Sequence, residues 1–377
     1  MSNNLIRAWE FLSRPDQDIQ AFQEFLPAIY RYTNSTNLWK NAPKNQLILP
    51  NSEQTVVTLL GSEIGKRSLR KTLLAIDRQG GPCLPLTREW ASNGSADQYK
   101  MMLIPPQTMA FPTQEGLLND IVYAVDKLAP NERIILRGNC WGMTESILFT
   151  AKYPDKVAGL VLGLPFLARK KDSLWLYDNQ GGMAQRYPDQ FQNLISIAQS
   201  NQEKDMLSNL FNQLNSSEYS VSSQAYQALC RWDYTCLTGL EPNEQDDLPA
   251  TPESITLKQI QIRFQRDNFD LPDDGIVPLL RMIPDTIPII VVGQKLDPLN
   301  NPDSLPLLRE NLPQAEFVIQ DADWHWMPQK KEGKSNYFLQ QAYAYAMGRM
   351  GLIVNKKLNV NPSYTLLPKI EEATCPV

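Results

Sequence analysis

The pentapeptide Gly138-Asn139-Cys140-Trp141-Gly142 places a thiol midway between two glycines. It follows the apolar run Arg133-Ile134-Ile135-Leu136-Arg137 and precedes a segment, Met143 to Lys152, with helical spacing. A nucleophile at such a strand-to-helix turn is exposed on a sharp, strained corner, the arrangement of a G-x-S-x-G elbow with cysteine in place of serine. The glycines two residues to either side are needed because a β-carbon there would collide as strand and helix close up. A thiol at a helix start also lies beside unpaired amides and the positive end of the dipole, which favour the thiolate.

A nucleophilic thiol needs a base, and the chain has one histidine, His325. That excludes sites built from several histidines, the two- and three-histidine zinc sites included. It also leaves a single candidate for an imidazole proton shuttle near neutral pH. The elbow pattern is followed in chain order by an acid and then a histidine. Asp297 stands just after the strand-like run Ile287 to Val292, and His325 just after the run Glu316-Phe317-Val318-Ile319. The gap from Cys140 to Asp297 leaves room for an insertion, and the gap from Asp297 to His325 holds one helix and one strand. Asp323, Asp273 and Asp274 are rival acids in less favourable positions. In this arrangement His325 deprotonates Cys140 or pairs with its thiolate, and Asp297 fixes the imidazole tautomer.

The elements that must hold these residues follow from periodicity. Residues 4–30 have helical spacing in two pieces broken at Pro15, and residues 31–51 are loop-like. Thr55 to Leu60 is a short strand ending at Gly61, and Arg67 to Ile76 has the spacing of a helix. Met101 to Ile104 stops at a double proline, Gly116 to Leu128 is helical, and Gly159-Leu160-Val161-Leu162-Gly163 is a strand. Strands alternating with helices imply a mostly parallel sheet covered on both faces. The alternation lapses between Ala168 and Asp285, a polar and mainly helical stretch that reads as a lid. The expected organisation is a helical extension over 1–51, a core over 52–167, a lid insertion over 168–285, the rest of the core over 286–358 and a tail over 359–377. Tyr337 to Met350 is the last helix.

Composition bounds the rest. With 42% hydrophobic and 20% charged residues in 377, this is an ordinary globule. A net charge of −5 argues against nucleic acid or an anionic membrane as the main partner. No apolar run approaches the roughly 20 residues needed to span a bilayer. Five cysteines without a Cys-x-x-Cys pair indicate neither a disulfide scaffold nor a metal site, and a cytoplasmic location is expected. No phosphate-cradling or dinucleotide fingerprint is present, so no cofactor is expected. A homo-oligomer is left open.

Gly138 to Gly142, Tyr153-Pro154-Asp155-Lys156-Val157 ahead of a strand, and Ala322-Asp323-Trp324-His325 ahead of the last helix together resemble the α/β-hydrolase superfamily over about residues 52 to 350. The cysteine elbow followed by a long insertion is similar to polyhydroxyalkanoate synthases, which use Cys, Asp and His, and dienelactone hydrolases are a second cysteine-using branch. The resemblance implies the α/β-hydrolase fold, a Cys140–His325–Asp297 triad and an oxyanion hole from the backbone amides of Trp141 and of Ser62 or a neighbour. Leu60-Gly61-Ser62 stands where many hydrolases have His-Gly, Met143 where glycine is frequent, and Trp324 where glycine commonly precedes the histidine.

The activity expected is cysteine-dependent acyl transfer, by an acyltransferase or thioesterase acting on thioesters carried by coenzyme A or a carrier protein. Ester or lactone hydrolysis by the same triad is the alternative, and a non-catalytic binding protein of the same fold is a third reading. Trp324, Trp326 and, in the lid, Trp232 are candidate substrate-contacting residues. Core packing accounts for such aromatics equally well.

Overall fold

The computed structural model describes the strands 44–48, 56–60 and 73–78 and the segments 99–104, 112–200, 203–242, 249–295, 297–320 and 335–357. Its centre is an eight-stranded sheet: β1 (Lys44–Ile48), β2 (Val56–Leu60), β3 (Leu73–Arg78), β4 (Tyr99–Leu103), β5 (Ile134–Cys140), β6 (Val157–Pro165), β7 (Ile289–Gln294) and β8 (Glu316–Gln320). The spatial order is β1-β2-β4-β3-β5-β6-β7-β8. β2 runs antiparallel to both β1 and β4, and every later pairing is parallel. Crossovers force the middle strands to be buried on both faces, which is why β5, β6 and β7 read as near-continuous apolar runs.

Helices α1 (Gln114–Leu128) and α2 (Trp141–Lys152) lead to and from β5. Thr113 caps α1, its hydroxyl accepting the Gly116 N–H at 3.1 Å. Leu118, Ile121 and Val125 of α1 and Met143, Ile147 and Phe149 of α2 enter the main core with Leu136, Leu160, Leu162 and Val291 of the sheet. The final helix, which ends the described chain at Ser335–Lys357, packs on β6, β7 and β8. Gly159 and Gly163 admit it, since a β-carbon at either would run into Met350 or Tyr343.

Between β6 and β7 the chain forms α3 (Lys170–Tyr177), α4 (Gly182–Arg186), α5 (Pro188–Ala198), α6 (Glu203–Leu214), α7 (Tyr219–Thr238), α8 (Pro252–Arg266) and the short α9 (Val277–Leu280). Tyr177, Met183, Phe191, Leu194, Met206, Leu210, Leu229, Trp232 and Ile262 give this cap its own buried cluster. Its entry and exit are zipped together: Lys170 N–H donates to the Asp273 carbonyl at 2.9 Å, and Ile276 N–H to the Leu167 carbonyl at 3.0 Å. Gly275, at φ +59°, has no room for a β-carbon against the Leu167 and Ala168 carbonyls. α10 (Ser304–Asn311) then joins β7 to β8, and the last helix is α11. None of the described helices is long and apolar enough to cross a membrane.

Two local expectations are corrected. The segment read as a helix over Arg67 to Ile76 ends in strand β3. Leu69, Leu73 and Ile76 fit helical spacing, but the run Leu73 to Ile76 fits a buried strand equally, and pairing with β4 and β5 on both sides decides. β1 arises in the stretch read as loop. It is a short, polar strand at the edge of the sheet, paired among the described residues with β2 alone, the kind that carries little hydrophobic signal. The helices expected over 4–30 and the tail from 359 lie outside the described residues.

Candidate active site

Cys140 is the last residue of β5 and the N-cap of α2, with φ 52° and ψ −117°. This is left-handed backbone that a non-glycine residue adopts only under constraint. The constraint is visible around it. Gly138 approaches α2 so closely that a β-carbon would strike the Gly142 carbonyl and the Ser146 hydroxyl. Ser146 Oγ donates to the Gly142 carbonyl at 2.7 Å, and Thr144 Oγ1 donates to the Phe166 carbonyl at 2.7 Å, tying the first turn of α2 to the end of β6. The register between β5 and β6 shifts between Asn139 and Cys140, an irregularity of the kind that re-aims a side chain. Residues 141 to 150 of α2 are buried throughout, while Cys140 is partly exposed. Among the described residues, Cys140, Cys230 and Cys236 (the last two on α7) form no disulfide. Burial, with the Asp233 charge adding to it, pushes the Cys236 thiol well up.

Asp297 lies just beyond β7, one strand removed from β5 across β6. Cys140 and Asp297 thus both sit at the carboxyl ends of parallel strands, where open α/β sheets bind ligands. The Asp297 carboxylate closes a turn: it accepts the Leu299 N–H at 3.0 Å and the Asn300 side-chain amide at 2.7 Å. Asp273 and Asp274, weighed as rivals, occupy the cap's exit segment before α9. His325, Ser62, Trp324, Trp326 and Asp323 lie outside the described residues.

Trp141 opens α2 and is 2% exposed. Its ring stacks on Phe269 at 4.9 Å and lies 5.3 Å from Phe264, and Phe166 meets Phe269 edge-on at 5.1 Å. With Leu117, Ala168 and Ile260 these form an apolar cluster against which Cys140 packs. Two of its members, Ile260 and Phe264, belong to cap helix α8, so the cap reaches the elbow. The Trp141 indole N–H and both ends of the Gln114 amide are buried without a hydrogen-bond partner among the described residues. Trp232 sits elsewhere, in the cap's own core, 5.1 Å from Phe191.

Sequence reasoning did not find Phe166, Phe264 or Phe269. Phe269 gave a faint signal only in its neighbours, since Asn and Asp are the non-glycine residues that best tolerate left-handed backbone. Among the described residues no group of three or more His, Cys, Asp or Glu side chains could hold a metal ion.

The order of strands, the reversed β2 and the strained corner after β5 together define one fold family, and a family model described as the alpha/beta hydrolase fold matches residues 104–327. The chain belongs to the α/β-hydrolase family. This α/β-hydrolase is 26% identical over 251 residues to a protein of Leptolyngbya boryana named as a probable proline iminopeptidase, covering 64% of this chain and 76% of that one. It is 26% identical over 211 residues to the proline iminopeptidase of Arabidopsis thaliana, covering 54% of each. The chain therefore spans about half the length of that second relative. A Staphylococcus aureus protein of unknown function shares the fold at a TM-score of 0.50 and 12% identity, covering 83% of this chain and 99% of its own.

Proposed function

We propose that this hydrolase works through a covalent acyl intermediate on Cys140, with His325 as base and Asp297 as the group that orients it. The observation carrying the reading is the conformation of Cys140: a partly exposed thiol on strained backbone at the first turn of α2. Strain of this kind costs about 1–3 kcal/mol and persists where the surroundings over-determine it. The first amides of a helix lack intrahelical partners and carry the positive end of its dipole, which favours negative charge at this position.

The steps balance as follows. The Cys140 thiolate attacks an acyl carbon, forming a carbon–sulfur bond while the backbone N–H groups of Trp141 and Ser62 stabilise the oxyanion. The tetrahedral intermediate expels a thiol, alcohol or amine, which takes the proton held by His325. Water, deprotonated by His325, then cleaves the acyl–sulfur bond and returns the thiol. An alcohol, amine or thiol acceptor in place of water gives transfer. Thioesters suit a thiol nucleophile because thiol–thioester exchange is nearly balanced in energy, so coenzyme A or carrier-bound acyl groups are the first substrates to test. A second reading, favoured by the relatives named proline iminopeptidase, is cleavage of an amide at an N-terminal proline.

Intact-protein mass spectrometry after brief exposure to acyl thioesters, activated esters and a prolyl arylamide tests both. An acyl mass gain lost in Cys140→Ala supports the intermediate, and the substrate giving it ranks the readings. Equal turnover in Cys140→Ala would sink the proposal.

A further inference from the structure

Asn268, Phe269 and Asp270 hold three consecutive left-handed conformations, with φ of 48°, 59° and 57° and no glycine among them. One such residue is uncommon and three in a row need an external cause. The cause is a clamp on each side. Asp270 receives a fork from Arg263 of α8, at 2.6 and 3.0 Å, and the backbone N–H of Gln114 at the start of α1, at 3.2 Å. Arg263 also donates to the Pro112 carbonyl at 3.1 Å and lies 4.7 Å over the Phe264 ring. On the other side, the Asn268 amide donates to the carbonyls of Leu271 and Pro272, both at 2.9 Å. Between the clamps Phe269 is 2% exposed and drives its ring onto Trp141, the residue after the proposed nucleophile.

The geometry points to Phe269 as the residue that limits the size of the acyl group accepted at Cys140. This deepens the acyl-Cys140 reading and rests on it. The Phe269 ring, with Phe166 and Phe264, fills the apolar space beside the elbow, so the acyl groups that fit are small. The clamp fixes the backbone from which the ring projects, through the Arg263–Asp270 fork and the bond to Gln114, and packing against Trp141 and Phe166 holds the ring itself. An alkyl chain that runs from Cys140 toward this cluster meets the volume the ring now holds. A wall held rigidly discriminates more sharply than one that yields, and each excluded methylene is worth roughly tenfold or more in an apolar pocket.

The test measures kcat/KM for straight-chain acyl thioesters from acetyl to decanoyl in the wild type, Phe269→Ala and Phe269→Leu, with Cys140→Ala alongside. The expected result is an optimum at short chains in the wild type and a decanoyl-to-acetyl ratio raised about tenfold or more in Phe269→Ala. Phe269→Leu, which keeps most of the buried volume, is expected to raise the ratio less, and keeps the test readable if the alanine variant does not fold. A Cys140-dependent activity whose chain-length profile is the same in all three proteins overturns the wall while leaving the covalent reading intact. Turnover that does not need Cys140 overturns the reading and the wall with it, and no turnover of any thioester overturns the wall.

Discussion

Trp175, in the first cap helix, donates its indole N–H to the carbonyl of Pro298, the residue after Asp297, at 2.9 Å. The cap therefore holds the loop of the proposed acid as well as covering the elbow. Arg169 strengthens the join: its guanidinium, 3% exposed, grips both Asp172 oxygens, meets Asp303 at 2.8 Å and donates to Ser304 Oγ at 2.9 Å. Leu299 packs onto the cap's core from the same loop. With its entry and exit segments zipped and this latch closed, the cap near α3 is part of the framework of the site.

Trp175→Phe keeps most of the ring packing and removes one hydrogen bond, whose net worth is about 1 kcal/mol. If the bond positions Asp297, kcat falls about tenfold, because small misplacements at a triad are costly, while the melting temperature drops by only a few degrees. Steady-state kinetics and a thermal melt on the same samples separate the two effects. Loss of melting temperature with kcat unchanged would show that the bond only stabilises.

The latch also has a pH signature. Burial tends to raise the Asp303 carboxyl, but Lys171 and Arg169 outweigh it and hold the group below its usual range. A carboxylate with a lower pKa in the folded state contributes stability that is complete above its unfolded value, about 3.9, and is lost as pH falls through the folded value. Asp303 is 41% exposed, so solvent screens the pairs and the effect is small. Asp303→Asn is expected to lower the melting temperature by roughly 1–2 °C at neutral pH, with the gap to wild type closing below about pH 4. A constant gap across that range would mean that the charge of Asp303 is not what stabilises.

How far the sequence could reach follows from which constraints are local. The elbow was legible because the need for Gly138 arises within one strand–turn–helix unit, where Gly142 and Ser146 supply the collision. The strands β5, β6 and β7 were legible because burial on both faces leaves little but apolar residues. β3 was not, since its apolar run satisfies two periodicities and only the flanking strands choose between them. Phe269 was hidden for a different reason. Its contact with Trp141 depends on Arg263 and on the backbone of Gln114, and no spacing rule links position 114 to position 270. Trp232 could be read as apolar, but the choice between the cap's core and the cluster at Cys140 is made by the cap's helix packing.

Gln114 offers a stability test in the opposite direction. Its amide is buried with both ends unpaired among the described residues, which costs about 1–3 kcal/mol relative to a satisfied or apolar side chain. Gln and Leu have similar helix propensity, so the helix itself is indifferent. Gln114→Leu is expected to raise unfolding stability by about 1 kcal/mol in a denaturant melt. A fall in stability would show that overpacking at this position outweighs the removal of the unpaired amide.

The strain at Cys140 can be weighed directly by comparing two inactive variants. Cys140→Ala keeps a β-carbon on backbone at φ 52°, so it keeps the strain. Cys140→Gly releases about 1–3 kcal/mol of it and loses about 0.4–1 kcal/mol through the greater freedom of glycine in the unfolded chain. The balance favours glycine by about 1 kcal/mol. Neither variant can form the acyl intermediate, so activity is lost in both while only one is relaxed. Denaturant midpoints at equal slope read the difference. A glycine variant less stable than the alanine variant would mean that the corner is comfortable for a side chain, and the strain would no longer mark Cys140 as the residue the fold exposes for chemistry.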